Sequence, residues 1–103
     1  MTLDRSVQLH PAAVTESRAI VQWYRERNAS AAGVFLTEID RAIEKIAEAP
    51  EAWPPYIGGT RRFVLRHFPF SVVYREVRAS IEVIAIAHAR RKPGYWKDRI
   101  AVL

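Results

Sequence analysis

Polar and apolar residues alternate along Leu3-Asp4-Arg5-Ser6-Val7-Gln8-Leu9, the period-two signature of a half-buried strand. Pro11 follows, and its fixed φ and missing N–H suit the first position of a helix. From there to Asn28 the apolar residues Ala12, Ala13, Ala19, Ile20, Trp23 and Tyr24 recur at three- and four-residue spacing, which places them on one helical stripe that Asn28 terminates. Ser30 offers a cap for a second helix with the stripe Phe35, Ile39, Ala42, Ile43 and Ile46, ended by Pro50. So short a break makes the two helices a hairpin with a shared core, and it turns Glu38, Asp40, Glu44 and Glu48 largely outward.

Glu51 to Thr60, with Pro54, Pro55, Gly58 and Gly59, reads as a loop that Trp53 and Tyr56 pin to the core. The period then changes to two. Arg62, Val64 and Arg66 fall on one face of a strand, and Phe63, Leu65 and His67 fall on the other. Phe68-Pro69 breaks it, Phe70 to Val77 forms a second strand, and Arg78-Ala79 is a hairpin turn without the usual glycine. Ile81 to Ala87 is apolar on both faces, with Ile81, Val83, Ala85 and Ala87 on one and Ile84 and Ile86 on the other. Such a strand needs cover on both sides. The helical hairpin supplies one cover, and Pro93 to Leu103, with Tyr95 and Trp96, or a partner chain supplies the other. For Trp96, packing is favoured over stacking on a base.

The expected fold is α+β: an N-terminal strand, a helical hairpin, then an antiparallel three-stranded meander. At 103 residues, the chain has room for a single domain spanning 1–103, with one thin core. It contains no cysteine, which excludes a disulfide scaffold, a thiolate zinc site and a cysteine nucleophile. Its first ten residues lack the apolar run of a signal peptide or a membrane span. A cytoplasmic protein without membrane contact is expected.

The net charge of +5 is unevenly spread. Met1 to Ala52 carries 6 Lys/Arg against 8 Asp/Glu, whereas Trp53 to Leu103 carries 10 against 3. Most of these cations are arginines, whose planar fork suits phosphate or carboxylate, so a polyanion or an acidic protein segment is the implied partner.

The densest polar cluster, His88-Ala89-Arg90-Arg91-Lys92-Pro93-Gly94-Tyr95-Trp96, begins where the central strand ends. His88 is placed on the face of Ile84 and Ile86, and histidine is the commonest general acid or base. If the strands are neighbours, Arg61, Arg62 and Arg66 converge with Arg90 and Arg91 on one face and hold a phosphate as charge builds on it. RNA cleavage by its own 2′-hydroxyl needs such arginines and two proton carriers, for which His88 and Tyr95 are available. The candidate catalytic residues are therefore His88, Arg62, Arg66, Arg90 and Tyr95. The candidate nucleic-acid contacts are Arg61, Arg62, Arg66, Arg90, Arg91 and Lys92. Histidines at 10, 67 and 88 lack metal-ligand spacing, and there is neither a glycine-rich phosphate loop nor a GxSxG elbow. No metal or cofactor is expected.

Taken in order, several segments resemble the RelE/ParE superfamily of type II toxin-antitoxin toxins, often labelled plasmid stabilisation proteins. They are Pro11-Ala12-Ala13 with Trp23-Tyr24, Phe35…Glu38-Ile39…Ala42-Ile43…Ile46…Pro50, Arg61-Arg62-Phe63, Phe68-Pro69-Phe70-Ser71-Val72-Val73-Tyr74, and Ile84-Ala85-Ile86-Ala87-His88-Ala89-Arg90-Arg91. The ending Pro93-Gly94-Tyr95-Trp96-Lys97-Asp98-Arg99 is similar to one subgroup. The resemblance implies a β-α-α-β-β-β fold, a cognate antitoxin that wraps the toxin, and operator DNA contacted only through the antitoxin complex. RelE-like members cut mRNA on the ribosome without metal, and ParE-like members inhibit DNA gyrase. The expected function is growth inhibition by ribosome-associated mRNA cleavage as an endoribonuclease. The alternatives are a non-catalytic gyrase inhibitor and an inactive homologue that retains antitoxin binding.

Overall fold

The structure, a computed structural model, describes residues 5–100. A strand, Ser6–Leu9 (β1), leads into helix Pro11–Arg27 (α1), and Ala29–Glu48 forms a second helix (α2). Arg61–Val64 (β2), Phe70–Val77 (β3) and Ser80–His88 (β4) complete one sheet in the order β1-β4-β3-β2. β2, β3 and β4 form the antiparallel meander, and β1 joins its far side parallel to β4, from Ser6 opposite Ser80 to Leu9 opposite Val83. The start of the predicted first strand, Leu3 and Asp4, lies outside the described residues.

Asn28 does two jobs. Its N–H donates to Tyr24 O and closes α1, and its side-chain oxygen accepts the Ala31 N–H at 3.3 Å and opens α2. Ser30, the predicted cap, sits inside the first turn instead. A capping side chain must precede the helical backbone, and Asn28 is the extended residue there, at φ −161°.

α2 buries Ala32, Phe35, Ile39, Ala42, Ile46 and Ala47, as its stripe predicts. α1 buries only Ala13 and Val21; Ala19 is exposed, and Trp23 is 51% exposed. Val72, Tyr74, Ile81, Val83 and Ile86 of the sheet pack against the hairpin. At the centre Phe35 has the rings of Tyr24, Phe68 and Phe70 at 6.0, 5.3 and 5.8 Å.

The expected alternation along β4 is broken. Val73 opposes Ala85 while Tyr74 opposes Val83, so Ile84 is left without a partner in a bulge, which reverses the facing of residues beyond it. Ile86 therefore faces the helices, whereas Ile84 joins Val73, Ala85 and Trp96 in a second cluster on the other side. The carboxy-terminal segment supplies that cover, as expected, and Trp96 is 1% exposed. Tyr56 pins its loop to Trp96 at 6.1 Å, and Trp53 meets Phe63 edge-on at 4.5 Å. Gly94 enters the segment at φ +81°, where a Cβ would come within 2.7 Å of Lys97 Cε.

Candidate functional site

β4 is longer than its neighbour β1. Their ladder is continued by His10 N–H to Val83 O at 2.9 Å, and Ile84–His88 run on with no strand beside them on that side among the described residues. A side-chain pair takes the place of the missing strand. Glu16 Oε1 of α1 accepts the Ile86 N–H at 3.0 Å, and Arg99 Nη1 donates to Ile84 O at 3.1 Å. The two side chains face each other in a bidentate ion pair, with both N–O distances 2.8 Å. Strand-edge groups that no neighbouring strand pairs are thereby satisfied by a charge-assisted clamp. The Tyr95 hydroxyl completes it, donating to Glu16 Oε2 at 2.6 Å.

The electrostatics follow from these contacts. Burial pushes the Glu16 carboxyl up, but hydrogen bonds from Arg99, Tyr95 and the Ile86 N–H, with the Arg99 charge, hold it below the usual carboxylate range. The hydrogen bond to Glu16 raises Arg99 further. Tyr95 is pushed up to about 12 by burial and then by the Glu16 carboxylate it binds. Neither Glu16 nor Arg99 was among the residues expected from sequence. The available signal was a carboxylate within the apolar stripe of α1, one turn from Ala12 and one from Ile20.

Arg62, Arg91 and Lys92 meet on the Trp96 side of the sheet. The Arg62 guanidinium lies over Tyr56 at 4.4 Å and that of Arg91 over Tyr95 at 3.8 Å. With Lys92, Ser71, Ala87 and the predicted His88 and Tyr95 they border a cleft of about 80 Å³ that no carboxylate lines.

The other predicted residues lie elsewhere. Arg61 points the opposite way, donating to Trp53 O at 2.6 Å and Glu51 O at 3.3 Å. Arg66 does not share a strand face with Arg62, because β2 stops at Val64. Glu38 ends the strand by taking the N–H groups of Arg66 and His67, and its Oε1 lies 2.9 Å from His67 Nδ1. Burial raises the Glu38 carboxyl, and these hydrogen bonds, His67 first, bring it below its usual value. Glu38 therefore turns inward, contrary to expectation, and like Glu16 it sits in an apolar stripe. Arg66 instead joins Arg41 and Lys45 on the rim of a groove of about 460 Å³ floored by Phe63 and Trp53.

His88 shares the face of Ile86 but not of Ile84. Its ring meets Phe70 edge-on at 5.0 Å, its Nδ1 accepts the Arg90 N–H at 3.0 Å, and it lines a groove of about 420 Å³ beside Ile20 and Trp23. Arg90 is exposed on the turn after β4. Of the five residues expected to catalyse, Arg62, His88 and Tyr95 line the cleft on the Trp96 side together, with the Tyr95 hydroxyl held by Glu16, whereas Arg66 lies at the α2 edge and Arg90 is exposed on its turn. Among the described residues no three His, Asp or Glu side chains gather as metal ligands do, and no helix is long and apolar enough to cross a membrane.

An open four-stranded sheet backed by an N-terminal helical hairpin is the architecture of RelE/ParE toxins. A solved chain from the chromosomal ParDE TA system from P. aeruginosa has this fold at a TM-score of 0.72 and 18% identity, over 82% of this chain and 95% of that one. Toxin ParE2 of Mycobacterium tuberculosis, from strains CDC 1551 / Oshkosh and ATCC 25618 / H37Rv alike, is 31% identical over 63 residues. That stretch is 61% of this chain and 60% of the relative's length. The family described as the ParE toxin of type II toxin-antitoxin system, parDE, matches residues 7–93, and the chain belongs to that family.

Proposed function

We propose that this toxin is held by a cognate antitoxin and arrests growth by binding DNA gyrase, without catalysing a reaction. The observation that carries this reading is the commitment of the Tyr95 hydroxyl, one of the two proton carriers expected from sequence, to Glu16. The Tyr95 hydroxyl is committed to Glu16 at 2.6 Å, and the His88 ring packs on Phe70 with Nδ1 committed to the Arg90 N–H. His88 and Tyr95 line the same cleft, but general acid-base chemistry needs both free to exchange protons, and these bonds occupy the Tyr95 hydroxyl and one ring nitrogen of His88. The resemblance assigns gyrase inhibition to the ParE-like members, and the family match is to ParE.

An antitoxin has suitable surface to cover. Trp23, Val34 and Val64 are 51%, 53% and 61% exposed, and Arg41, Lys45 and Arg66 rim the groove beside Val34 and Val64. An acidic amphipathic segment complements that combination. Operator DNA would be reached through the complex.

Ribosome-associated mRNA cleavage is the second reading, favoured by the cleft that Arg62, Arg91 and Lys92 border. A supercoiling assay with purified gyrase, relaxed plasmid and no ribosomes separates the two. Dose-dependent loss of supercoiling supports gyrase inhibition. Full supercoiling, with new message 5′ ends after induction in cells, overturns it in favour of cleavage.

A further inference from the structure

Periodicity assigns Ala19 and Trp23 to the apolar stripe of α1, yet both lie in solvent, Trp23 at 51% exposure. The apolar surface continues from them into the groove of about 420 Å³ beside Ile20, Tyr24, Pro69 and Phe70, which no Lys, Arg, Asp or Glu lines. A tryptophan left half in water beside an apolar groove has the makings of an interface anchor. The Arg27 guanidinium covers one face of its ring at 4.0 Å and leaves the rest to a partner.

Charge along α1 narrows the occupant. Arg18, Gln22 and Glu26 are exposed at four-residue steps, so they form one row beside the row of Ala19 and Trp23. That row holds a cation and a carboxylate at equal distances from a neutral centre. An acidic segment would be repelled by Glu26, and a basic one by Arg18. The groove beside Val34, with its rim of Arg41, Lys45 and Arg66, differs in offering cations to an acidic partner. A second copy laid antiparallel, with Gln22 opposite Gln22, sets Arg18 of each chain against Glu26 of the other. The same register brings each Trp23 level with Val21 of the other helix, next to Ile20 and on the side where the groove opens. The groove has a volume in the range that buries drug-sized molecules, so an indole fits.

Little is given up on association. Among the described residues Arg18 makes no ion pair. Glu26 accepts a hydrogen bond from Gln22 at 3.1 Å and lies 3.6 Å from Arg27, both exposed contacts within α1 of small worth. We propose that the chain free of antitoxin pairs with a second copy of itself through α1, each Trp23 seated in the other's groove and each Arg18 facing the other's Glu26. This does not rest on the functional reading above.

Sedimentation velocity of the purified full chain, over concentrations spanning the micromolar range, tests it, because one helix and one groove make an interface at the small end of stable ones. Arg18→Glu and Glu26→Arg each turn both ion pairs into like-charge contacts and should weaken dimerisation about tenfold or more. An equimolar mixture of the two variants restores opposite charges at both contacts and should recover the dimer. Trp23→Ala should weaken it about thirtyfold or more, the scale of an interface anchor. Circular dichroism checks that each variant is folded. A parent chain that stays monomeric up to millimolar concentration overturns the proposal. So does a dimer that both reversals or Trp23→Ala leave intact, or a mixture that stays as monomeric as its components.

Discussion

The sheet is covered on its two faces by different physics. On one face the helical hairpin lays down a broad apolar surface, with Phe35, Ile39, Ala42 and Ile46 against Val72, Tyr74, Val83 and Ile86. Burial of this kind is non-directional, so it tolerates imprecise geometry and requires few polar contacts. On the other face a terminal segment covers only Val73, Ile84 and Ala85 with one large anchor, Trp96. So short a cover gains less from burial, and directional bonds fix it: Arg99 and Tyr95 both meet Glu16, reaching across from α1. The apolar face leaves grooves suited to a protein partner, while the sparsely covered face collects the cations.

The largest test of this contrast is Trp96→Ala, which removes the anchor and should lower stability by about 3–5 kcal/mol in chemical denaturation. A loss below about 1 kcal/mol would mean that the second face is not a core. Next, Glu16→Ala or Arg99→Ala leaves a half-buried charge and strand-edge groups unpaired, with an expected loss of about 2–3 kcal/mol each. The double variant should lose clearly less than the sum, as coupled partners do; additivity would show that the clamp is not a unit.

Smaller effects appear in pH dependence. Glu16 is held below the usual carboxylate range, so its contribution is present above that range and is lost as pH falls through its folded value. Glu38 acts with the same sign. Tyr95 is raised from 10.0 to about 12, so its contribution is complete below pH 10 and is lost as pH rises toward 12. Urea midpoints against pH should show both flanks, and Glu16→Gln should flatten the acid one. Tyr95→Phe should cost about 1 kcal/mol and remove one late-ionising tyrosine from an ultraviolet titration, leaving Tyr74, also raised to about 12. The smallest effect lies away from both covers. Arg78 turns the β3–β4 hairpin at φ +58°, and Arg78→Gly should gain about 0.5 kcal/mol by thermal melt.

The sequence was most legible where periodicity decides structure. β3 runs over Phe70–Val77 as the alternation predicts, and the stripe of α2 is buried as drawn. Legibility fell where one side chain overrides a pattern. The bulge at Ile84 comes from pairing between two strands and leaves no mark on β4 alone. Asn28 displaced Ser30 because adjacent helices can share a cap. Glu38 ended β2 early and carried Arg66 away from Arg62, so the expected arginine face lost a member. Both missed carboxylates, Glu16 and Glu38, sit in apolar stripes, and both turned out to satisfy backbone N–H groups. The grouping of Arg62, Arg91 and Lys92 was partly foreseeable, because those cations sit on β2 and just after β4, the strands on either side of β3 in the meander, but the commitment of Tyr95 to Glu16 was not.

The central claim is that this toxin acts by binding and that His88 and Tyr95 transfer no proton to a substrate. Its most direct test is inhibition of supercoiling by purified gyrase, measured for the parent chain, His88→Ala and Tyr95→Phe side by side without ribosomes. The account predicts that all three inhibit, at matching concentrations once folding is confirmed. Uninhibited supercoiling by the parent, together with message cleavage in cells that His88→Ala abolishes, would contradict it.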